Sequence, residues 1–266
     1  MSASTNDKTM SFWEHLDELR RRIIAMALAF ATGAGVSWYY RETILEWISY
    51  PFIQAWKNGH LKGQAQLHFA APAALFMAYI KLALLGGFVL ALPFMLYQVW
   101  AFVAPGLYAR EKRFAVPFVL ASTGLFAMGG LFGFTVAFPV AFRYLLGLSG
   151  PVGNTFAVTP TVMVSDYLDF VTHLLVVFGV VFELPVLVFF LSIAGVVTHR
   201  HMLKFARYFI VLAFVIGAIF SPPDIASQLL VAVPLCLLYG VSIGIAYVFG
   251  RERKTGPSPG GQSPAG

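Results

Sequence analysis

The sequence predicts an all-α membrane protein with six transmembrane helices, an amphipathic interfacial helix at the N-terminus and a last pair of spans that is short. Three observations carry this. Of 266 residues, 59% are hydrophobic and 11% are charged, against about 25% charged in soluble domains. Charge-poor runs recur near the ~20 residues that cross a ~30 Å hydrocarbon layer. Lys and Arg concentrate on alternate connections between those runs.

Residues 1–10 read as a flexible N-terminus and residues 11–250 as one transmembrane domain. Ser11-Phe12-Trp13-Glu14 is a capping-box signature. Phe12, Leu16, Leu19 and Ile23 then recur as one apolar stripe, with Glu14, Asp17, Glu18 and Arg21 opposite, the pattern of a helix lying in the membrane interface. Asp17–Arg21 and Glu18–Arg22 are spaced as i,i+4 pairs, each worth about 0.2–0.5 kcal/mol. The charge-free runs follow at 23–40, 82–109, 114–142, 208–223 and 225–250, with a sixth at 170–198 interrupted only by Glu183. Backbone groups in lipid must be satisfied internally, so these are helices. The fifth is short: residues 208–220 rise only ~20 Å at about 1.5 Å per residue, so it either thins the bilayer or sits sheltered. Residues 251–266, rich in Pro, Gly and Ser, read as a disordered tail.

Orientation follows from the basic residues. Of 18 Lys and Arg, only Arg41, Lys57, Lys62, Lys81 and Arg143 fall on one side. The other thirteen lie with both termini and the second and fourth loops, which predicts cytoplasmic termini. The net charge of +6 is therefore topology signal and contact with membrane lipids, not nucleic-acid binding. Cys236 lies alone inside the last span, so no internal disulfide forms. Arg20-Arg21-Arg22 before Ala27-Leu28-Ala29 resembles a secretory leader, but the apolar stretch is too long and acidic residues precede the arginines. It reads as a retained first span. No Walker-type phosphate loop is present, and neither cofactor nor metal is expected.

The informative polar residues are few. Glu18 and Glu111 lie among arginines just outside apolar spans, where a carboxylate can receive a cationic partner. Glu111 could equally soften local cationic repulsion. Glu183 falls midway in the fourth span, where a charge costs at least about 2.5–3.5 kcal/mol, and Pro185 loosens the helix beside it. Gly129, Gly130 and Gly133 permit close helix packing. Pro222-Pro223-Asp224 caps the outer turn between the last two spans, with Gln228 one turn into the sixth. Pro51, before the first outer loop, reads as ordinary turn chemistry. Gly147-Leu148-Ser149-Gly150 has the look of a nucleophile motif, yet His173 is the one histidine within a span, leaving an intramembrane Ser–His protease poorly supported. A solute transporter would need repeated halves and converging mid-membrane charges, which the sequence lacks.

Four motifs stand in order along the chain: His15-Leu16-Asp17-Glu18-Leu19-Arg20; Tyr97-Gln98-Val99-Trp100-Ala101-Phe102-Val103-Ala104-Pro105-Gly106-Leu107-Tyr108, followed by Glu111; Phe182-Glu183-Leu184-Pro185; and Ser221-Pro222-Pro223-Asp224 with Ser227-Gln228. Together they resemble the TatC family, the multispanning receptor subunit of twin-arginine protein translocases. The first is similar to its N-terminal signature and the second to its second-span and loop motif, and the last two match two more of its motifs. The resemblance implies a cup-like bundle in the bacterial cytoplasmic membrane that is not an enzyme. Glu18 and Glu111 would contact the paired arginines of signal peptides on folded cargo, with Arg20 and Phe102 in the same site. It further implies that Glu183 and Pro185 face a concave cavity. Ser221, Asp224 and Gln228 would form a docking locus for TatA- and TatB-type single-span subunits, Pro51 would shape the outer cap, and copies would self-associate in a multimeric complex driven by the protonmotive force.

Overall fold

Helices form wherever the sequence is apolar for long enough. The computed structural model describes residues 12–59, 63–103, 115–193, 195–220 and 224–250. Among the described residues, six stretches are long and apolar enough to cross a membrane: Trp13–Tyr39, Pro72–Phe102, Pro117–Gly147, Val164–Ile193, His199–Phe220 and Ile225–Phe249. The last two, at 22 and 25 residues, are shorter than the 31, 31 and 30 residues of the second, third and fourth.

The first span and its amphipathic prelude are one unbroken helix, α1 (Phe12–Tyr39). No proline interrupts it, so the polar segment extends the span rather than folding away as a separate element. A second helix, α2 (Arg41–Asn58), occupies what the sequence reading left as an outer connection. Pro51 is buried inside it, so its role is packing within a helix rather than turn chemistry. The second span is α3 (Pro72–Val103). It begins ten residues before the expected 82 because Lys81 does not end the helix; its ammonium meets Asp169 of the fourth span at 2.5 Å.

The third span is α4 (Ala115–Phe132), a π-helical turn (Gly133–Ala137) and α5 (Phe138–Gly147). Pro139 has no N–H to give Thr135, and its ring crowds that carbonyl. The ladder widens just before it, and the Phe138 N–H reaches back to the Gly133 carbonyl. The fourth span divides at Glu183 into α6 (Val164–Phe182) and α7 (Leu184–Ile193). Pro185 again explains the break: it cannot bond to Val181, the Glu183 N–H tightens onto Val180 O at 3.1 Å, and Leu187 resumes on Glu183 O at 2.9 Å. The last spans are α8 (His199–Phe220) and α9 (Ile225–Phe249).

Among the described residues, four short strands lie in the connections before the second span and between the third and fourth. β1 (Leu67–His68) runs parallel to β4 (Val162–Met163), and β2 (Gly150–Val152) pairs with β3 (Phe156–Val158) as a hairpin. The core is aromatic and centred on α2, α5 and α6. Phe142 and Tyr167 stack at 5.6 Å, Phe52 lies 5.5 Å from the Tyr167 ring, and the Tyr167 hydroxyl donates to Ile48 O at 2.7 Å. Gly129 and Gly133 admit α6 closely: a Cβ at Gly129 would lie 2.4 Å from the Phe178 carbonyl oxygen.

Candidate functional site

A close crossing of α1 and α3 builds the candidate site. A Cβ added at Gly33 would lie 2.8 Å from the Gly87 carbonyl oxygen, and one at Gly87 would lie 2.5 Å from the Ala34 nitrogen. Only glycine lets the two backbones meet this way. The helices run antiparallel, so this contact fixes the register along their length. Eleven residues before Gly33 is Arg22, and eleven after Gly87 is Gln98; four more in each direction give Glu18 and Phe102.

Side chains meet where that register directs them. Arg22 donates from Nε to Glu18 Oε1 at 2.9 Å, and its Nη2 donates to the same oxygen. Its Nη1 donates to Gln98 Oε1 at 3.0 Å, tying the pair to α3. The His15 ring stacks on Phe102, centroids 4.4 Å apart. The Arg22 and Glu18 side chains are only 21% and 19% exposed, so the pair is shielded more than an ordinary surface bridge. Glu18 Oε2 is buried and has no hydrogen-bond partner among the described residues. Chemically, this is a carboxylate that grips a guanidinium beside an aromatic surface, with its second oxygen uncommitted.

The expected site residues fare differently. Glu18 and Phe102 come to one place. The i,i+4 pair expected of Glu18 forms, whereas Asp17 and Arg21 are exposed and make no ion pair among the described residues; in solvent such a pair gains little. Arg20 is exposed and, two residues on, points about 200° around the helix from Glu18. Glu111 lies outside the described residues. The helices flanking its loop are held together at this same end by Trp100 stacked on Phe118, centroids 4.0 Å apart. Sequence reasoning passed over Gly33, Gly87 and the role of Gln98; the facing glycines in the first two spans were the available signal.

A second polar locus surrounds the break in the fourth span. Glu183 Oε1 is buried without a partner among the described residues, and the buried Ser122 hydroxyl, its polar neighbour, does not complete a hydrogen bond to it. Pro185 also lines an apolar cavity of about 650 Å³ shared with Trp100, Phe118, Leu125 and Phe189. The third locus is the α8–α9 turn. Asp224 caps α9, its Oδ1 accepting the Ser227 N–H at 2.8 Å, and the Gln228 amide donates to Phe214 O on α8 at 3.0 Å. Ser221 lies outside the described residues. Ser149 donates to the Leu146 carbonyl rather than to a histidine. Among the described residues, no group of three or more His, Cys, Asp or Glu side chains is arranged to hold a metal.

Six apolar spans with a polar cluster at one end of the first two define a multi-pass helical membrane protein. Residues 14–234 match the family described as Sec-independent protein translocase protein (TatC). A TatC protein of Koribacter versatilis (strain Ellin345) is 41% identical over 242 residues, 91% of this chain and 86% of that protein. One of Aquifex aeolicus (strain VF5) is 38% identical over 245 residues, 92% of this chain and 98% of that protein. A solved structure described as the twin arginine translocase receptor TatC superimposes with a TM-score of 0.76 at 39% identity, covering 88% of this chain and 98% of that one. A second, in DDM, gives 0.77 at 40% identity over 88% and 99%. The chain belongs to the TatC family of Sec-independent protein translocase proteins.

Proposed function

We propose that this chain is the receptor and core subunit of a twin-arginine translocase. It binds the consecutive arginines of signal peptides on folded cargo and organises TatA- and TatB-type single-span subunits for export driven by the protonmotive force. It sits in the bacterial cytoplasmic membrane with both termini cytoplasmic, as the skew of Lys and Arg toward the Glu18 end supports. It contacts membrane lipids and self-associates in the assembled complex.

The observation that carries this reading is the Glu18 carboxylate already holding a guanidinium next to the His15–Phe102 stack. Guanidinium offers a planar fork of donors that an ammonium cannot reproduce. At a partly shielded site each charged hydrogen bond is worth roughly 1.5–3 kcal/mol, so losing one arginine weakens capture about 10–100-fold. Glu111, on the adjoining loop, supplies the second carboxylate in this reading, whereas Arg20, about 200° around α1 from Glu18, lies off this surface. Glu183, in the helix that Pro185 loosens, serves in this reading to contact a partner helix or to bend the membrane. Ser221, Asp224 and Gln228 form the locus for small subunits, and Pro51 shapes the outer end by seating α2.

Photocrosslinking from positions flanking Glu18 and Glu111 tests the reading, using signal peptides that carry Arg-Arg or Lys-Lys. Labelling by Arg-Arg peptides alone, lost in the Glu18→Ala, Glu111→Ala double variant, is expected. Undiminished labelling of that variant would refute it.

A further inference from the structure

The guanidinium found on Glu18 belongs to the protein itself, and it is held too well for an incidental helix pair. Arg22 spends all three of its nitrogens: Nε and Nη2 on Glu18 Oε1, and Nη1 on Gln98 Oε1 across the α1–α3 crossing. A plain i,i+4 pair needs no residue from another helix. Gln98 is supplied by a glycine contact eleven residues away on each helix, so the hold on Arg22 is part of the tertiary fold.

We propose that Arg22 is an internal competitor that occupies Glu18 and sets the threshold an incoming cation must pass. This rests on the receptor reading above and adds its regulation. A ligand guanidinium can replace Arg22 on Oε1, fork for fork, and then reach Oε2, which is buried and without a partner among the described residues while Arg22 is in place. An ammonium is a point charge with no planar fork, so it cannot take over those contacts and Arg22 stays. Discrimination between arginine and lysine then comes from the occupant as well as from the carboxylate itself: the wrong ligand is refused because it cannot displace what is already bound.

The test measures affinity of the full chain in lipid nanodiscs for fluorescent signal peptides carrying Arg-Arg or Lys-Arg. Arg22→Ala is expected to bind the Arg-Arg peptide roughly tenfold more tightly, the scale of one charge-assisted contact, and to narrow the gap between the two peptides. Arg22→Lys separates competition from simple charge. It keeps the positive charge but loses the fork, so the internal competitor predicts several-fold tighter binding where a purely electrostatic effect predicts none. Gln98→Leu, which releases Arg22 from α3 without touching Glu18, moves both readouts in the same direction. Weaker Arg-Arg binding in Arg22→Ala, an unchanged peptide preference, or an unaltered Arg22→Lys would each overturn the proposal. Glu18→Gln, run in parallel, isolates the foundation: if wild-type binding does not depend on Glu18, the receptor reading falls and the competitor with it. If binding depends on Glu18 and the Arg22 variants fail, only the competitor falls.

Discussion

The α1–α3 edge and the α2–α5–α6 core are held together by different physics. Only 11% of the most apolar stretch of the first span is buried within the chain, against 39% for the third and fourth. The core closes on large rings: Phe52, Phe138 and Phe178 are at most 1% exposed. The edge closes on absent side chains at Gly33 and Gly87 and then on three donor contacts from one arginine. A ring-packed core tolerates no loss of volume, whereas a glycine crossing tolerates no gain. The candidate site stands on the second kind of contact, where a small change in register moves every polar partner at once.

The largest expected effect breaks the core and spares the site. Phe178→Ala empties a fully buried position and costs about 3–5 kcal/mol of stability, read as a lowered unfolding midpoint in detergent. The folded remainder is expected to keep its affinity for Arg-Arg signal peptides. A parallel collapse of affinity would mean that core and edge are one unit.

Gly87→Val does the converse. Its Cβ falls 2.5 Å from the Ala34 nitrogen, so the helices must part. The overpacking costs about 1–3 kcal/mol, while signal-peptide affinity drops more than the stability loss accounts for, because Phe102 on α3 no longer stacks on His15 beside Glu18, a loss that outweighs the release of Arg22 from Gln98. Gly124→Ala is the matched control, since an added Cβ there meets nothing within 4 Å. It leaves both readouts unchanged.

At the α8–α9 turn the expected change is smaller. Gln228→Leu removes the amide donated to Phe214 O, and polar contacts between membrane helices average about 0.6 kcal/mol. If this turn also docks single-span subunits, the same variant recovers less of a TatB-type partner on co-purification. Full recovery would leave Gln228 as a packing amide alone.

These contrasts also explain what the sequence could disclose. Six spans were legible because lipid forbids unpaired backbone and so forces long apolar runs. Their ends were not, because Lys81 continues a helix once Asp169 answers it, a pairing 88 residues away. α2 escaped notice because its buried face, Ile48, Phe52, Ala55 and Trp56, alternates with Glu46, Tyr50 and Lys57, diluting the apolar signal. Glu18 was legible as an acidic residue among arginines. Its occupant's anchor was not, since placing Gln98 against Arg22 needs the glycine register, and that is a property of two helices together.

The smallest effect probes an ion pair that ties the edge to the core. Lys81 on α3 and Asp169 on α6 lie 2.5 Å apart, but their side chains are 43% and 46% exposed. If water reaches this pair near the start of the fourth span, a double-mutant cycle with Lys81→Ala and Asp169→Ala returns a coupling of about 0–1 kcal/mol that fades at high ionic strength. That value would leave the edge free to adjust on the core when Arg22 is displaced. A salt-insensitive coupling above about 2 kcal/mol would make α3 rigid against α6, and displacement of Arg22 would then have to be absorbed by α1 alone.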